Sequence, residues 1–311
     1  MQRRSFRDLQ ETAHTTFFRA PTAHGDFSEC DVVMLGVPFD GGAVFLPGSR
    51  FGPDHVRQCS RNADRPCLEG DVRVRDGGNL AFPFMDRVKV RDVIANAVHA
   101  IATAGAVPFC VGGDHSITQA CLEGLSRMHG PLALVHIDAH PDTSSSAHVG
   151  DRNHHGATVR VALEDGFVRK GAVFQIGVRV AQDLTFVKEW DLKVYPMDLL
   201  DSEGPAKVAT VIRTCLGEIP TYVSIDIDAV DPAFAPGTGG QEPGGLTSRE
   251  LFSLVRNLSG IKLVGLDVVE ILPLKDVSNI TGILGASVLS EGLALVLARD
   301  SRLLKCTAES R

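Results

Sequence analysis

The residues best suited to chemistry in this sequence fall in three short clusters of acids and histidines. They are Gly112-Gly113-Asp114-His115, Asp138-Ala139-His140-Pro141-Asp142, and Asp226-Ile227-Asp228 followed by Asp231-Pro232. Side chains two apart in extended chain share a face. Asp138, His140 and Asp142 therefore converge if extended backbone persists past Ile137, and Asp226 pairs with Asp228. Carboxylates crowded into one crevice above an apolar sheet cannot all stay ionised without a counter-charge. Two divalent cations balance Asp138, Asp142, Asp226 and Asp228. His115 and His140 complete the ligand set, and two bridging carboxylates suit ions roughly 3.5 Å apart. The set is rich in oxygen and lacks thiolate, which points to manganese-like octahedral coordination over tetrahedral zinc. The expected cofactor is two Mn2+ per chain. A single Asp-x-Asp after a strand is commonly a turn or a cap; the reading rests on three clusters in order, each behind an apolar run.

Other polar residues read more plainly. Asp114 and Asp231 are not expected as ligands, and Asp231 suits a turn because Pro232 follows it. His136 lies inside a predicted strand and reads as structural, as do the isolated His14, His24, His55, His99 and His129. Gly112 and Gly113 lack the lysine and the spacing of a phosphate loop.

Elements must hold these clusters in place. Apolar runs at 32–37, 107–111, 132–137, 173–177, 222–227 and 261–269 are short and nearly continuous. Strands buried on both faces read this way, which predicts a parallel sheet. Between them, Val90, Ile94, Ala97, Ile101 and Ala104 recur at three- and four-residue spacing, one buried helical stripe. A second helix is predicted over 248–258 with Thr247 as N-cap, and a third over 278–298 with Ile280, Leu284, Val288 and Leu289 on one side. The predicted fold is a three-layer α/β/α arrangement with a central, mostly parallel sheet. A single domain over 1–311, with its core at about 30–300, is expected, since no linker or repeat interrupts the pattern. The loops after Phe39, Asp142 and Asp231 lie beyond strand C-termini, where open α/β sheets place ligands.

The 311 residues are 44% hydrophobic and 22% charged with net charge -7, which permits a full core. No basic stripe suggests nucleic acid. The charged N-terminus has no apolar run behind it, and no stretch is read as approaching the ~20 apolar residues of a membrane span. Cys30, Cys59, Cys67, Cys110, Cys121, Cys215 and Cys306 are odd in number and scattered. They read as reduced thiols of a cytoplasmic protein.

At these motifs the sequence resembles the ureohydrolase (arginase/agmatinase) family. The matching segments are Gly113-Asp114-His115-Ser116, Asp138-Ala139-His140-Pro141-Asp142, the run from Ser224 to Pro232, and Gly265-Leu266-Asp267-Val268-Val269-Glu270. Leu35-Gly36-Val37-Pro38-Phe39-Asp40-Gly41-Gly42 and Pro47-Gly48-Ser49-Arg50-Phe51-Gly52-Pro53 are similar to the agmatinase/guanidinobutyrase branch. The resemblance spans about residues 16–300. It implies that His115 and Asp142 complete one metal's shell, His140 and Asp228 the other's, and that Asp138 and Asp226 bridge. Water activated between the ions would attack a guanidinium carbon, giving urea and an amine. Asp142 would also orient that water. Glu270 would pair with the guanidinium, and His155 would transfer a proton, with His154 as a competing assignment. A homotrimer or homohexamer is implied too.

The sequence departs from the family at one place. Gly237-Thr238-Gly239-Gly240-Gln241-Glu242 stands where Gly-Thr-Gly-Thr-Pro-Glu is usual, so a hydroxyl is missing at Gly240. The expected substrate is a linear guanidino compound. Agmatine, giving putrescine, is the first choice, and 4-guanidinobutyrate, 3-guanidinopropionate or arginine the alternatives. Ser144, Ser146, His148 and Asp151 are the candidate contacts in the loop after Asp142. Asp151 suits an ammonium; Arg152 or a protonated His148 suits a carboxylate. A zinc deacetylase-like enzyme and an inactive binding homologue are the rival readings.

Overall fold

Continuous apolar runs become strands here because helices cover both faces of the sheet. The structure, a computed structural model, describes residues 15–23, 25–62, 72–82, 86–145 and 150–299. Its strands are β1 (Val32–Val37), β2 (Val74–Asn79), β3 (Val107–Gly112), β4 (Leu132–Ile137), β5 (Val168–Ile176), β6 (Lys193–Tyr195), β7 (Thr221–Asp226) and β8 (Leu263–Val269). They form one eight-stranded sheet in the order β2-β1-β3-β8-β7-β4-β5-β6. Every strand pairing is parallel, so the sheet expected to be mostly parallel is wholly so.

The helices are α1 (Gly52–Cys59), α2 (Arg87–Thr103), α3 (Ile117–His129), α4 (Thr158–Glu164), α5 (Leu184–Trp190), α6 (Met197–Glu203), α7 (Pro205–Leu216), α8 (Ser248–Asn257) and α9 (Ile280–Arg299). Alternate strand residues divide between the two faces. Val33, Leu35, Cys110 and Leu134 pack with Ile94 of α2, Leu122 of α3 and Val159 of α4. Met34, Phe109, Val135 and Val223 pack with Val56 of α1, Ile212 of α7, Leu254 of α8 and Leu289 of α9. The predicted three-layer α/β/α arrangement is the one observed.

Most elements match the sequence pattern closely. Thr247 caps α8 in a reciprocal capping box with Glu250. The stripe Val90, Ile94 and Ile101 of α2 is buried, although Ala97 is only partly so and Ala104 is exposed at the helix end. Strands β2 and β6 were not expected. Each lies at a sheet edge, where one side has no partner and no continuous apolar run is required. The segment Val277–Ala298 corrects the reading that no stretch is apolar enough to span a membrane, since an 18-residue window of it reaches a mean hydropathy of 1.8. In this fold Leu284, Val288, Leu289 and Leu293 of that segment are buried in the core.

Candidate metal centre

The sheet order brings together what the chain keeps far apart. Strands β3, β8, β7 and β4 are neighbours. Their C-terminal ends carry His115, Glu270, Asp226 and Asp138 respectively. Gly113 locks three exits together. Its N–H donates to Val37 O (2.9 Å), its carbonyl accepts from Glu270 N (2.9 Å), and Asp114 N donates to Phe39 O (2.9 Å). A Cβ at Gly113 would lie 1.7 Å from Phe39 O, so only glycine permits this approach. Asp142 (φ 48°) and Glu270 (φ 62°) both adopt left-handed backbone, costly for non-glycine residues and found where surrounding structure dictates side-chain aim.

Asp138, Asp226 and Asp228 share one design. Oδ1 is held by a backbone N–H and Oδ2 is turned inward. Asp138 Oδ1 accepts from His140 N (2.6 Å), Asp226 Oδ1 from Asp228 N (2.9 Å), and Asp228 Oδ1 from Ala139 N (3.1 Å). Around His115 Nδ1 lie Asp138 Oδ2 at 3.1 Å, Asp142 Oδ2 at 3.1 Å and Asp226 Oδ2 at 3.3 Å. His140 Nδ1 lies 2.9 Å from Asp228 Oδ2 and 3.6 Å from Asp138 Oδ1. Asp138 is thus common to two groups able to hold a cation, one with His115 and Asp142, the other with His140 and Asp228.

Hydrogen bonding fixes which nitrogen of His115 faces inward. Ser224 Oγ donates its only proton to Asp267 Oδ1 (2.6 Å) and can therefore only accept from His115 Nε2–H (2.8 Å). That leaves the Nδ1 lone pair of the neutral ring pointing at three carboxylate oxygens, a repulsive arrangement that a cation at their centre relieves. Asp267 itself is fully buried and also accepts from Thr118 Oγ1 and Tyr222 OH. His115 Nδ1, Asp138 Oδ2 and Asp142 Oδ2 are buried without hydrogen-bond partners. Buried polar atoms rarely stay unpaired, and these are the atoms that metals would engage.

Charge tells the same story. Burial raises Asp226 well above the usual carboxylate range, and Asp228 and Asp138 raise it further. Asp228 is pushed up to about 6 by burial and by Asp138. Asp138 stays well below the normal range, because His136, His115 and His140 together overcome the opposing effect of burial. Burial disfavours charge on His115, yet Asp138, Asp142 and Asp226 raise its pKa well above the imidazole range. His140 reaches about 12 against burial, through Asp138 and Asp228. Without metal, protons fill the places where cationic charge is needed.

His136, read from the sequence as structural, faces the cluster from within β4. Its Nε2 lies 3.0 Å from Asp138 Oδ2, and its ring stacks on His115 with centroids 5.1 Å apart. It lies close enough to His115, Asp138 and Asp142 to share a cation site with them. Residues 136 and 138 are two apart in extended chain, so they share a face.

Glu270 and His155 form a second unit beside the carboxylates. Glu270 Oε1 accepts from His115 N (2.9 Å) and from His155 Nδ1 (2.8 Å). Among the described residues no donor meets Oε2. Burial opposes charge on His155, but Glu270 and then Asp142 and Asp114 bring it up to about 9. Val44 N–H approaches His155 Nε2 at 3.3 Å, a bond that only the neutral ring can accept. The ring therefore has a counter-ion when charged and a donor when neutral. His154 is buried, has neither ring nitrogen paired, and does not line the cavity. Asp114 Oδ1 accepts from Ser116 N (2.8 Å) and its Oδ2 from Gly42 N (2.7 Å), while Asp231 holds a turn, as expected, its Oδ1 accepting from Ala233 N (2.9 Å).

A cavity of about 680 Å³ opens over this centre. Ser144, His155, Gly240 and Glu270 line it. Asp151 does not. Its carboxylate pairs with Arg87 (2.7 Å) and Asn153 N (2.8 Å), so the expected contact is removed by local partners. Ser146 and His148 lie outside the described residues. A Cβ on Gly240 would sit 3.1 Å from His140 Cε1, so glycine leaves the rim against that ring open. Arg179 holds this rim from below, donating to the carbonyls of Asp228 (2.6 Å) and Glu242 (2.6 Å). Ser224 and Asp267 had been quoted only as motif residues, and Arg179 gave no sequence signal because its partners are backbone atoms distant in the chain.

Comparison with known proteins matches this geometry to one family. The description "Arginase family" fits residues 30–294. Proclavaminate amidinohydrolase of Streptomyces clavuligerus is 39% identical over 84% of this chain and 86% of its own. A solved structure of that amidinohydrolase superposes with a TM-score of 0.84 at 36% identity, covering 91% of this chain and 97% of the other. Guanidinopropionase of Pseudomonas aeruginosa is 37% identical over 92% of this chain and 93% of its own. Mitochondrial agmatinase of Gallus gallus is 36% identical over 86% and 81%. With these matches and this ligand geometry, the chain belongs to the arginase family and is a metal-dependent amidinohydrolase acting on guanidino groups.

Proposed function

We propose that this protein hydrolyses a linear guanidino compound to urea and an amine with two manganese ions. His115, Asp142, Asp138 and Asp226 would hold one ion; His140, Asp228, Asp138 and Asp226 the other. The observation that carries this reading is the inward Nδ1 of His115 facing three buried carboxylate oxygens, a place that a cation must fill. Oxygen ligands outnumber imidazoles and thiolate is absent, which favours manganese. Bound there, two divalent ions supply Lewis acidity and lower the pKa of water toward neutrality.

The remaining chemistry belongs to the chain's own residues. Glu270 offers Oε2 to the substrate guanidinium while Oε1 stays anchored, a charge-assisted pair that orients the reacting carbon. Asp142 orients the attacking water through its inward Oδ2. His155 holds or releases a proton at Nε2, next to the cavity, for the departing amine. Ser144 lies on the wall where the substrate chain runs. Agmatine, 3-guanidinopropionate, 4-guanidinobutyrate and arginine all present the same reacting end to these groups, and their tails distinguish them. Assembly as a homotrimer or homohexamer follows from the family resemblance.

The test is metal content read with urea release. Elemental analysis after manganese loading is expected to give two ions per chain, with activity lost in chelator. Asp228→Asn is expected to lose much of one site. Full activity in chelator with no bound metal would falsify the reading.

A further inference from the structure

The reacting end of the cavity is accounted for, so its outer wall decides the tail. Two charged side chains line that wall, Glu242 and Lys275. Glu242 already has a neighbour. Its Oε1 is 3.7 Å from His140 Nε2, the nitrogen left protonated when Nδ1 faces a metal. Among the described residues lining the cavity Lys275 is the one lysine or arginine, and it forms no ion pair with any described residue. The nearest acid in sequence is engaged elsewhere: Asp276 pairs with His55 (2.7 Å) and caps Thr281 N and Gly282 N (2.8 Å each).

The backbone under Lys275 is fixed. It ends the short 3-10 turn Pro273–Lys275, and its N–H donates to Leu272 O (3.0 Å). Leu272 N in turn donates to Gly237 O (2.7 Å), tying the turn to the glycine-rich rim. The same segment begins at Glu270. One stretch of chain thus carries the anion for the guanidinium and, beyond it, a half-buried cation.

We propose that Lys275 receives a carboxylate at the far end of the substrate, making the preferred substrate class the linear guanidino acids and not agmatine. This rests on the guanidino-hydrolase reading above and reverses the sequence-based preference for agmatine. An ammonium tail meets like charge at Lys275, and Asp151, the acid once expected to welcome it, is paired with Arg87 outside the cavity. A carboxylate tail meets opposite charge at the same point, so one side chain discriminates in both directions.

Urea release would be compared for 3-guanidinopropionate, 4-guanidinobutyrate, agmatine and the neutral-tailed butylguanidine, using the manganese-loaded protein. The better guanidino acid is expected to exceed agmatine at least tenfold in kcat/KM, about 1.4 kcal/mol of discrimination. Lys275→Gln is expected to lower the ratio of guanidino acid to butylguanidine about tenfold, chiefly through KM, and Lys275→Arg to restore most of it. Agmatine equal to or better than both acids overturns the proposal, as does an equal loss on all four substrates in Lys275→Gln. Binding separates this failure from failure of the underlying activity. If no tail releases urea, the activity reading falls. Calorimetric titration of 4-guanidinobutyrate into manganese-loaded wild type and Lys275→Gln still decides the tail: a tenfold weaker variant supports it, and equal affinities overturn it.

Discussion

Glu270 shows how one carboxylate can serve structure and chemistry at once. Oε1 binds the His115 amide and the His155 ring, while Oε2 has no donor among the described residues. An amide keeps the accepting oxygen but not the charge. Glu270→Gln is therefore expected to fold and to bind both metals yet lose at least about 100-fold in kcat/KM, a scale typical of removing one electrostatic contact in a site. Normal turnover in that variant would make Glu270 purely structural. The metal ligands make a separate prediction about protons. Without metal, His115 and His140 are held protonated far above the imidazole range by neighbouring carboxylates, while burial and like charge raise Asp226 and Asp228. Ligands must shed those protons to bind metal, so manganese binding is expected to release protons and tighten as pH rises. Calorimetry at pH 7 in buffers of different ionisation enthalpy measures the release; heats independent of buffer, with affinity flat in pH, would contradict it.

At the scale of elements, the site depends on how closely strand exits approach one another. Gly113 joins the ends of β1, β3 and β8 through its own N–H and carbonyl, with Phe39 O only 1.7 Å from where a Cβ would lie. That neighbour is backbone and cannot rotate away. Gly113→Ala is expected to destabilise by more than about 3 kcal/mol, the range of severe steric lesions, and urea unfolding of the purified variant reads it directly. An unchanged midpoint would show that the exits can part without cost. The rim opposite is built differently. Arg179 binds the carbonyls of Asp228 and Glu242, so a single side chain from beyond β5 sets the position of a metal ligand and of the loop bearing Gly240.

The whole molecule places an apolar surface around the cavity mouth. Phe45 (61% exposed) lines the cavity, and Leu274 (83%) stands beside Lys275. Val277, Ile280 and Ile283 continue exposed apolar surface onto the start of α9. Exposed apolar side chains of this kind favour contact with another surface, and the trimer or hexamer proposed from family resemblance is one such contact to test. Light scattering is expected to return three or six times the 33.3 kDa chain mass. A stable monomer across the concentration range would overturn that assembly. The rest of α9 behaves as core despite its hydropathy, because its apolar residues face β8, α1 and α8 and not lipid.

The sequence by itself determined what depends on short-range spacing. Continuous apolar runs told of a sheet buried on both sides. Residues two apart in extended chain share a face, so Asp138 with His140 and Asp226 with Asp228 could be grouped by spacing before any fold was known. The extended chain assumed for them nevertheless ends at Ile137 and at Asp226: a 3-10 turn (Ile227–Ala229) carries Asp228, and Asp142 is left-handed. The same rule puts His136 on the face of Asp138. Tertiary structure alone decided what depends on which distant group arrives. The order β3-β8-β7-β4 made neighbours of clusters far apart in the chain. Ser224 and Asp267 selected the inward nitrogen of His115. Arg87 took Asp151 out of the substrate's reach, and the turn after Leu272 put Lys275 on the cavity wall. A side chain's type and local spacing fix what it can bind, but its free charge depends on the partners that the fold brings within about 4 Å, where ion pairing is decided.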